Sequence, residues 1–346
     1  MNSRVNVAVV GATGAVGQAM IETLLRRKFP YTSLKLLASK RSAGTTVMVG
    51  HTPNVVEEAT PASFDDVDIA LFSAGGDVSL QLAPEAVKRG ALVIDNTSAY
   101  RMHPEVPLVV PEVNANALWT NKGIIANPNC STIQMMVALY PIYKAYGIKR
   151  IVVSTYQAAS GAGARAIDDL LHTAKQYLAN EPMQASTLPV SKLKKHYPLA
   201  FNVLPQIDVF EENGYTKEEM KMVNETHKIF ADDTIQVTPT AARVPVIYGH
   251  SESVYVETKE PFVLSDVLQL LQTAPGVIVQ DNPQEQLYPQ AIVAAGQLEV
   301  FVGRIRKDLY VDNGLSMWVV SDNILKGAAW NAIQIAELWL SQAGHR

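Results

Sequence analysis

Residues 5–27 constrain this chain more than any other stretch, because they combine three elements whose order few folds accommodate. Residues 5–10 form an apolar, valine-rich run too short for a helix, which reads as a parallel strand buried on both faces. The run leads into Gly11-Ala12-Thr13-Gly14-Ala15-Val16-Gly17, after which residues 18–27 place Met20, Ile21, Leu24 and Leu25 at helical spacing. Strand, glycine turn and helix in this order open a doubly wound βαβ domain. Further strands are predicted over 34–38, 69–73 and 92–96, with a helix over 78–89.

From Cys130 the pattern changes. An apolar helical segment runs to Tyr146, followed by strand-like runs at 151–156, 253–258 and 298–305. Residues 180–205 hold four prolines and the basic cluster Lys192-Leu193-Lys194-Lys195, and their lack of periodicity predicts a long excursion or interface loop. A last helix over 325–343 is expected to pack back on the first domain. The fold class is therefore α/β: a Rossmann-type dinucleotide-binding domain over 1–129 with the C-terminal helix 325–346, and a mixed α+β domain over 130–324. A chain of 346 residues is long enough for both.

Composition excludes several classes of function. Charged residues are 18% and the net charge is −4, so neither disorder nor a nucleic-acid footprint is indicated, and small molecules are the expected partners. Gly11 and Gly14 interrupt the N-terminal apolar run before a signal core forms, and no apolar stretch reaches the ~20 residues a membrane span needs. The expected location is the cytoplasm. With one cysteine, Cys130, an internal disulfide and a Cys-rich zinc site are both excluded, and no metal is expected.

In the first βα turn, Gly11, Gly14 and Gly17 permit a tight bend and close approach of the backbone to a pyrophosphate, whose charge is favoured at a helix N-terminus. The spacing is G-x-x-G-x-x-G, a weaker signal than G-x-G-x-x-G, and its flanking strand and helix are what strengthen it. After the second strand stands Ala38-Ser39-Lys40-Arg41-Ser42, with no acid to meet a ribose 2′-hydroxyl. Arg41 and Ser42 suit a 2′-phosphate, pointing to NADP, although an ordinary solvated turn has the same composition.

Cys130 follows Pro128 and Asn129 and opens a segment of helical spacing, with Asn129 as a natural N-cap. A thiol in a first helical turn is favoured as thiolate by the dipole and by unpaired N–H groups. Position alone leaves an inert buried thiol and a reactive one equally open.

Four motifs close that gap: Gly11–Gly17, Asn127-Pro128-Asn129-Cys130-Ser131-Thr132, Gln157-Ala-Ala-Ser160-Gly161-Ala-Gly163, and Arg243-Val-Pro-Val-Ile-Tyr-Gly-His250-Ser251. Together they resemble the aspartate-semialdehyde dehydrogenase family. Ser98-Ala-Tyr-Arg101, Glu218-Glu-Met-Lys221 and Ser321-Asp-Asn323-Ile-Leu-Lys-Gly327 extend the likeness, in family order, over nearly the whole chain. The resemblance implies reversible, NADP-dependent conversion of L-aspartyl 4-phosphate to aspartate 4-semialdehyde through a Cys130 thioester, on the route to lysine, methionine and threonine. It implies Cys130 as nucleophile, His250 as proton carrier, and Gln157 orienting the substrate near the thiol. Arg243 would clamp the α-carboxylate, Glu218 would meet the ammonium, and Arg101 and Lys221 would take the phosphate. Ser160, Gly161 and Asn323 would approach the nicotinamide end, and a homodimer would form through the second domain.

Each role has a plainer counterpart: Glu218 and Lys221, at i and i+3, also describe a helix-surface ion pair, and Arg243 and His250 read as one strand and its turn. Two rivals share the thioester chemistry. N-acetyl-γ-glutamyl-phosphate reductases typically surround the cysteine with a His-Pro-Gly-Cys-Tyr-like motif and glyceraldehyde-phosphate dehydrogenases with Ser-Cys-Thr-Thr-Asn; neither is present here. A non-catalytic paralogue predicts loss of Cys130 or His250, and both remain.

Overall fold

In the computed structural model, residues 4–343 are described; residues 1–3 and 344–346, the outermost parts of the predicted first domain, lie outside them. The opening run forms strand β1 (Val5–Val10), and helix α1 begins at Ala15, three residues before the periodicity indicated, and ends at Arg26. Strands β2 (Tyr31–Ala38), β3 (Thr46–Val49), β4 (Thr52–Val55), β5 (Glu57–Glu58), β6 (Ile69–Phe72), β7 (Leu92–Asp95) and β8 (Ile124–Ala126) follow. Among them lie helices α2 (Gly76–Lys88) and α3 (Pro111–Asn114). Six strands pair in parallel in the order β5-β2-β1-β6-β7-β8, and β3 and β4 form a separate antiparallel hairpin. The order reverses beside β1, which is where a doubly wound sheet opens a crevice at its carboxyl edge.

The second part begins with α4 (Cys130–Tyr146), β9 (Ile148–Gln157), α5 (Ala164–Leu178) and α6 (Lys217–Phe230). It continues through β10 (Gln236–Arg243), β11 (His250–Thr258), α7 (Leu264–Thr273), β12 (Val277–Val279), α8 (Ala291–Ala294), β13 (Val300–Lys307) and β14 (Gly314–Ser321). Its mixed sheet runs β10-β9-β11-β14-β13-β12. Helix α4 is largely apolar, and its buried residues run without a break from Ser131 to Leu139, because it lies against the sheet and also against α6 and α7.

The chain divides into two compact units, residues 1–129 with 327–346, and residues 130–326. The last helix, α9 (Trp330–Ala343), belongs to the first, where Arg27 stacks on the Trp330 ring at 4.6 Å and pairs with Glu337 at 3.0 Å. No helix among the described residues is long and apolar enough to cross a membrane.

Two expectations change. Arg243 and His250 are not on one strand: Arg243 ends β10, His250 opens β11, and β9 lies between them. The proline-rich stretch 180–205 is irregular as expected, but Leu188, Leu199 and Leu204 are buried against α5 of the same unit. Helix α6 carries a readable start signal, the capping box of Thr216 and Glu219, whose side chains exchange bonds with each other's backbone N–H.

Gly17 shows why the first turn needs glycine: a Cβ there would sit 2.1 Å from the Gly11 carbonyl oxygen, which does not move without opening the turn. Gly17→Ala is expected to cost ~1–3 kcal/mol by overpacking and to lower the melting temperature by several degrees. A wild-type melting curve for that variant would show that the turn tolerates the clash.

Candidate functional site

In the first unit, Gly11 adopts φ +93, its N–H and that of Ala12 bond to Leu37 O, and Gly14 precedes the first turn of α1. Thr13, Gly14, Arg41 and Ser42 line one cavity of about 520 Å³ with Gly11 and Ser73. Ala15, Val16 and Gly17 open α1, where N–H groups lack helical acceptors. A glycine cradle that a Cβ would fill, a helix start and a basic loop on one cavity fit a dinucleotide phosphate chain. Glu58 also lines this cavity and went unnoticed in the sequence, because it reaches the pocket from β5, well beyond the turn that follows β2.

Arg101, also in this unit, is buried and gives Nε to Asn127 O (2.9 Å) and Nη2 to Asn96 O (2.9 Å). Asn127 is held further by Asn331, which donates to its side-chain oxygen at 2.7 Å. Arg101 thus ties down the peptide that leads into the cysteine motif.

In the second unit, sheet register gathers the other predicted residues. Gln157 is the last residue of β9 and pairs with Arg243, the last of β10; His250, the first of β11, faces Ser321, the last of β14. Cys130 is the first residue of α4, partly exposed, and within electrostatic reach of Arg243. Ala158 joins the two basic side chains: its N–H donates to His250 Nδ1 at 3.0 Å, and its carbonyl accepts from Arg243 Nη1 at 2.8 Å. A ring that accepts at Nδ1 carries its neutral-state proton on Nε2, and that atom has no partner among the described residues. His250 therefore presents a donor. Arg243 is fully buried; burial pushes its pKa down, while Glu218 and Cys130 oppose the shift.

Glu218 accepts from Gln157 Nε2 at 3.2 Å and from Lys221 Nζ at 3.0 Å, and Lys221 also reaches Asp208 at 3.4 Å. Because Glu218 is buried, this is not an exposed surface pair. Asn323 spends its amide on loop geometry, donating to Ser160 Oγ at 2.9 Å and accepting from Gly249 N–H at 2.9 Å. A Cβ on Gly161 would meet Arg243 Nη1 at 2.7 Å and His250 Nε2 at 3.2 Å, so its missing side chain makes room for both.

Sequence reasoning passed over Glu252, which is fully buried two residues after His250, with no hydrogen-bond partner for either carboxyl oxygen among the described residues. Burial pushes its pKa well above the usual carboxylate range. Burial first, then Arg243, pushes His250 down to about 3, with Glu218 opposing.

Above the ordinary glutamate value of 4.5 and below the ordinary histidine value of 6.5, the unfolded chain protonates the histidine and ionises the glutamate, whereas the folded chain holds the histidine neutral, at about 3, and shifts the glutamate toward its protonated form. The histidine makes stability rise with pH across that window, since the unfolded chain binds the extra proton. The glutamate makes it fall, since there the folded chain does. The two slopes oppose each other. Glu252→Gln removes the second, so its unfolding free energy should climb relative to wild type as the pH rises from 4.5. Denaturant titrations of both proteins at several pH values check this; parallel stability curves would contradict it.

Residues 6–120 match the family profile described as "Semialdehyde dehydrogenase, NAD binding domain", and residues 139–326 match "Semialdehyde dehydrogenase, dimerisation domain". The chain is 58% identical over 338 residues to aspartate-semialdehyde dehydrogenase of Bacillus subtilis, covering 97% of this chain and 98% of that protein. The crystal structure of aspartate semialdehyde dehydrogenase II from Vibrio cholerae complexed with ASA superimposes with a TM-score of 0.93 at 48% identity, covering 98% of this chain and 99% of that one. Aspartate semialdehyde dehydrogenase with NADP from Candida albicans matches at 25% identity with a TM-score of 0.74, over 99% of both chains. With near-complete coverage at such identity, this chain belongs to the aspartate-semialdehyde dehydrogenase family.

Proposed function

We propose that this protein catalyses the reversible, NADP-dependent reductive dephosphorylation of L-aspartyl 4-phosphate to L-aspartate 4-semialdehyde, on the route to lysine, methionine and threonine. The observation that carries the reading is the convergence, within one unit of a family member, of Cys130 at a helix start, a buried Arg243 acting on it, and His250 fixed as a donor. In the reductive direction the Cys130 thiolate adds to the acyl carbon, the bond from that carbon to the phosphate oxygen breaks, and inorganic phosphate leaves a Cys130 thioester. When bound, the dinucleotide supplies the hydride in this direction and accepts it in the other. The resulting alkoxide on Cys130 accepts a hydrogen bond from His250 Nε2–H, and breaking the C–S bond releases aldehyde and thiolate.

Arg243, its Nη1 anchored on Ala158, takes the α-carboxylate in this reading. We assign the substrate ammonium to Glu218, its orientation to Gln157, and the phosphate to Lys221 and Arg101. Gly11 to Gly17 take the pyrophosphate and Arg41 with Ser42 the 2′-phosphate, while Ser160, Gly161 and Asn323 shape the nicotinamide end. The first unit is the cofactor domain and the second the catalytic one. The second also forms the homodimer, a reading supported by the exposed Tyr156, which packs on Trp318 on the outer sheet face. We place the enzyme in the cytoplasm, as its composition suggests.

Purified protein should form NADPH from aspartate semialdehyde only when phosphate is present, and should leave N-acetylglutamate semialdehyde and glyceraldehyde 3-phosphate unreacted. With phosphate withheld, mass spectrometry should find an acyl adduct on wild type and none on Cys130→Ala. Turnover confined to either alternative substrate, or an adduct on the mutant, would sink the reading. Arg41→Ala is expected to raise the KM for NADP at least ~10-fold and leave that for NAD unchanged, as loss of a guanidinium–phosphate contact requires. Equal effects on both cofactors would remove the 2′-phosphate from Arg41.

A further inference from the structure

The reaction above uses Glu218 and leaves its neighbour Glu219 without a role. Glu219 is buried, and each of its carboxyl oxygens accepts a backbone N–H, Oε2 from Thr216 at 2.7 Å and Oε1 from Ala241 at 2.8 Å. The first bond belongs to the capping box at the start of α6, which the Glu219 N–H completes by donating to Thr216 Oγ1 at 3.3 Å. The second leaves the helix and reaches β10, the edge strand of the mixed sheet. Successive N–H groups of a strand point to alternate edges. That of Val244, just past β10, turns to Gln157 O on β9, so positions 243, 241 and 239 face the open edge. Pro239 has no N–H to offer, Arg243 donates to Leu204 O at 2.8 Å, and Ala241 donates to Glu219. Of the groups that close this edge, only Glu219 belongs to α6.

A capping box asks for one acceptor on its third helical residue, and glutamine supplies it as well as glutamate. A buried N–H on a strand edge asks for one acceptor, and a loop carbonyl supplies it to Arg243. Neither need explains why a single carboxylate meets both. Joining them fixes the helix against the strand. Glu218, which accepts from Gln157 Nε2 at 3.2 Å, directly precedes Glu219 on α6, and Lys221 follows two residues later. Arg243 stands two residues beyond Ala241, roughly 7 Å along β10, and pairs in register with Gln157. We propose that Glu219 is a positioning residue for substrate recognition: one carboxylate, held by Thr216 N–H and Ala241 N–H, sets the spacing between Glu218 on the helix and Arg243 on the strand. That spacing must match the distance from ammonium to α-carboxylate in an amino-acid substrate. The proposal rests on the assignment of these two substrate groups to Glu218 and Arg243. Glu219 acts through them and touches no substrate.

The test compares full-length wild type, Glu219→Gln and Thr216→Ala by melting temperature, by kcat and KM for aspartate semialdehyde, and by hydrogen exchange of the Ala241 amide. Glutamine has one oxygen for two N–H groups, so Glu219→Gln breaks the link between helix and strand. Thr216→Ala removes the cap hydroxyl and keeps both backbone bonds to Glu219, so it reports on helix fraying alone. Glu219→Gln should raise KM about fivefold to tenfold with kcat within about twofold, the signature of lost binding that is uniform between ground and transition states, and should speed Ala241 exchange at least ~10-fold. Thr216→Ala should melt lower and stay within about twofold of wild type in KM and in Ala241 exchange. A wild-type KM or wild-type Ala241 exchange in Glu219→Gln would overturn the proposal, as would an equal rise of KM in Thr216→Ala. If Glu219→Gln does not fold, Glu219→Asp takes its place, too short to reach both N–H groups, with the same expected changes and the same overturning results. Exchange needs no substrate, so it decides whether Glu219 makes the link even in a protein that fails to turn over aspartate semialdehyde, an outcome that would defeat the functional reading alone.

Discussion

The N–H of Ala158 on His250 Nδ1 and its carbonyl under Arg243 Nη1 form the contact on which the chemistry proposed for the second unit depends. The N–H decides which ring nitrogen keeps a proton. The carbonyl decides where the guanidinium points. Both follow from where β9 ends, because the next two residues bond to the turn before His250, Ala159 N–H to Val246 O and Ser160 N–H to Ile247 O. Gly161 then passes the two side chains where a methyl group would strike them. The site is therefore set by backbone, and the side chain of Ala158 contributes nothing to it beyond being small.

Around this contact the protein buries more ionisable groups than a core needs for stability. Arg243, His250, Glu218 and Glu252 all lie inside, and each loses hydration on folding. Arg243 is compensated by Glu218 and by the Cys130 side chain, and Glu218 by Gln157 and Lys221. Removing one member leaves another buried and unpaired, which is the costly way to break such a set. The largely apolar, buried helix α4 and the sheet it covers supply hydrophobic burial that offsets this loss.

What the sequence made legible was local. The glycine turn, the cysteine at a helix start and the alternation of strands and helices depend on neighbours a few residues apart, and all appear where the pattern placed them to within a few residues. Less legible was whatever sheet register decides. Arg243 and His250, seven residues apart, read as one strand and its turn, yet they flank β9 on opposite sides. Glu58 reaches the nucleotide cavity from β5, and Gln134 meets His250 and Ser321 across 116 and 187 residues. Glu252, in Ser251-Glu252-Ser253, looks like an ordinary polar residue of an alternating strand. Only the helix that covers this face shows that its side of the alternation points inward.

The histidine pKa then makes physical sense as part of the same design. A ring that titrated near neutrality would be a mixture of forms, and its charged form would stand against Arg243 in a dry environment. Holding the ring down to about 3 leaves one form above that value, neutral with its proton on Nε2. Such a ring cannot take up a proton at Nε2 without first giving up the one it carries, so it suits an oxygen that becomes negative and then neutral again on the sulfur-bound carbon. In the proposed reaction a single backbone N–H on Nδ1 leaves this histidine its Nε2–H to offer that oxygen.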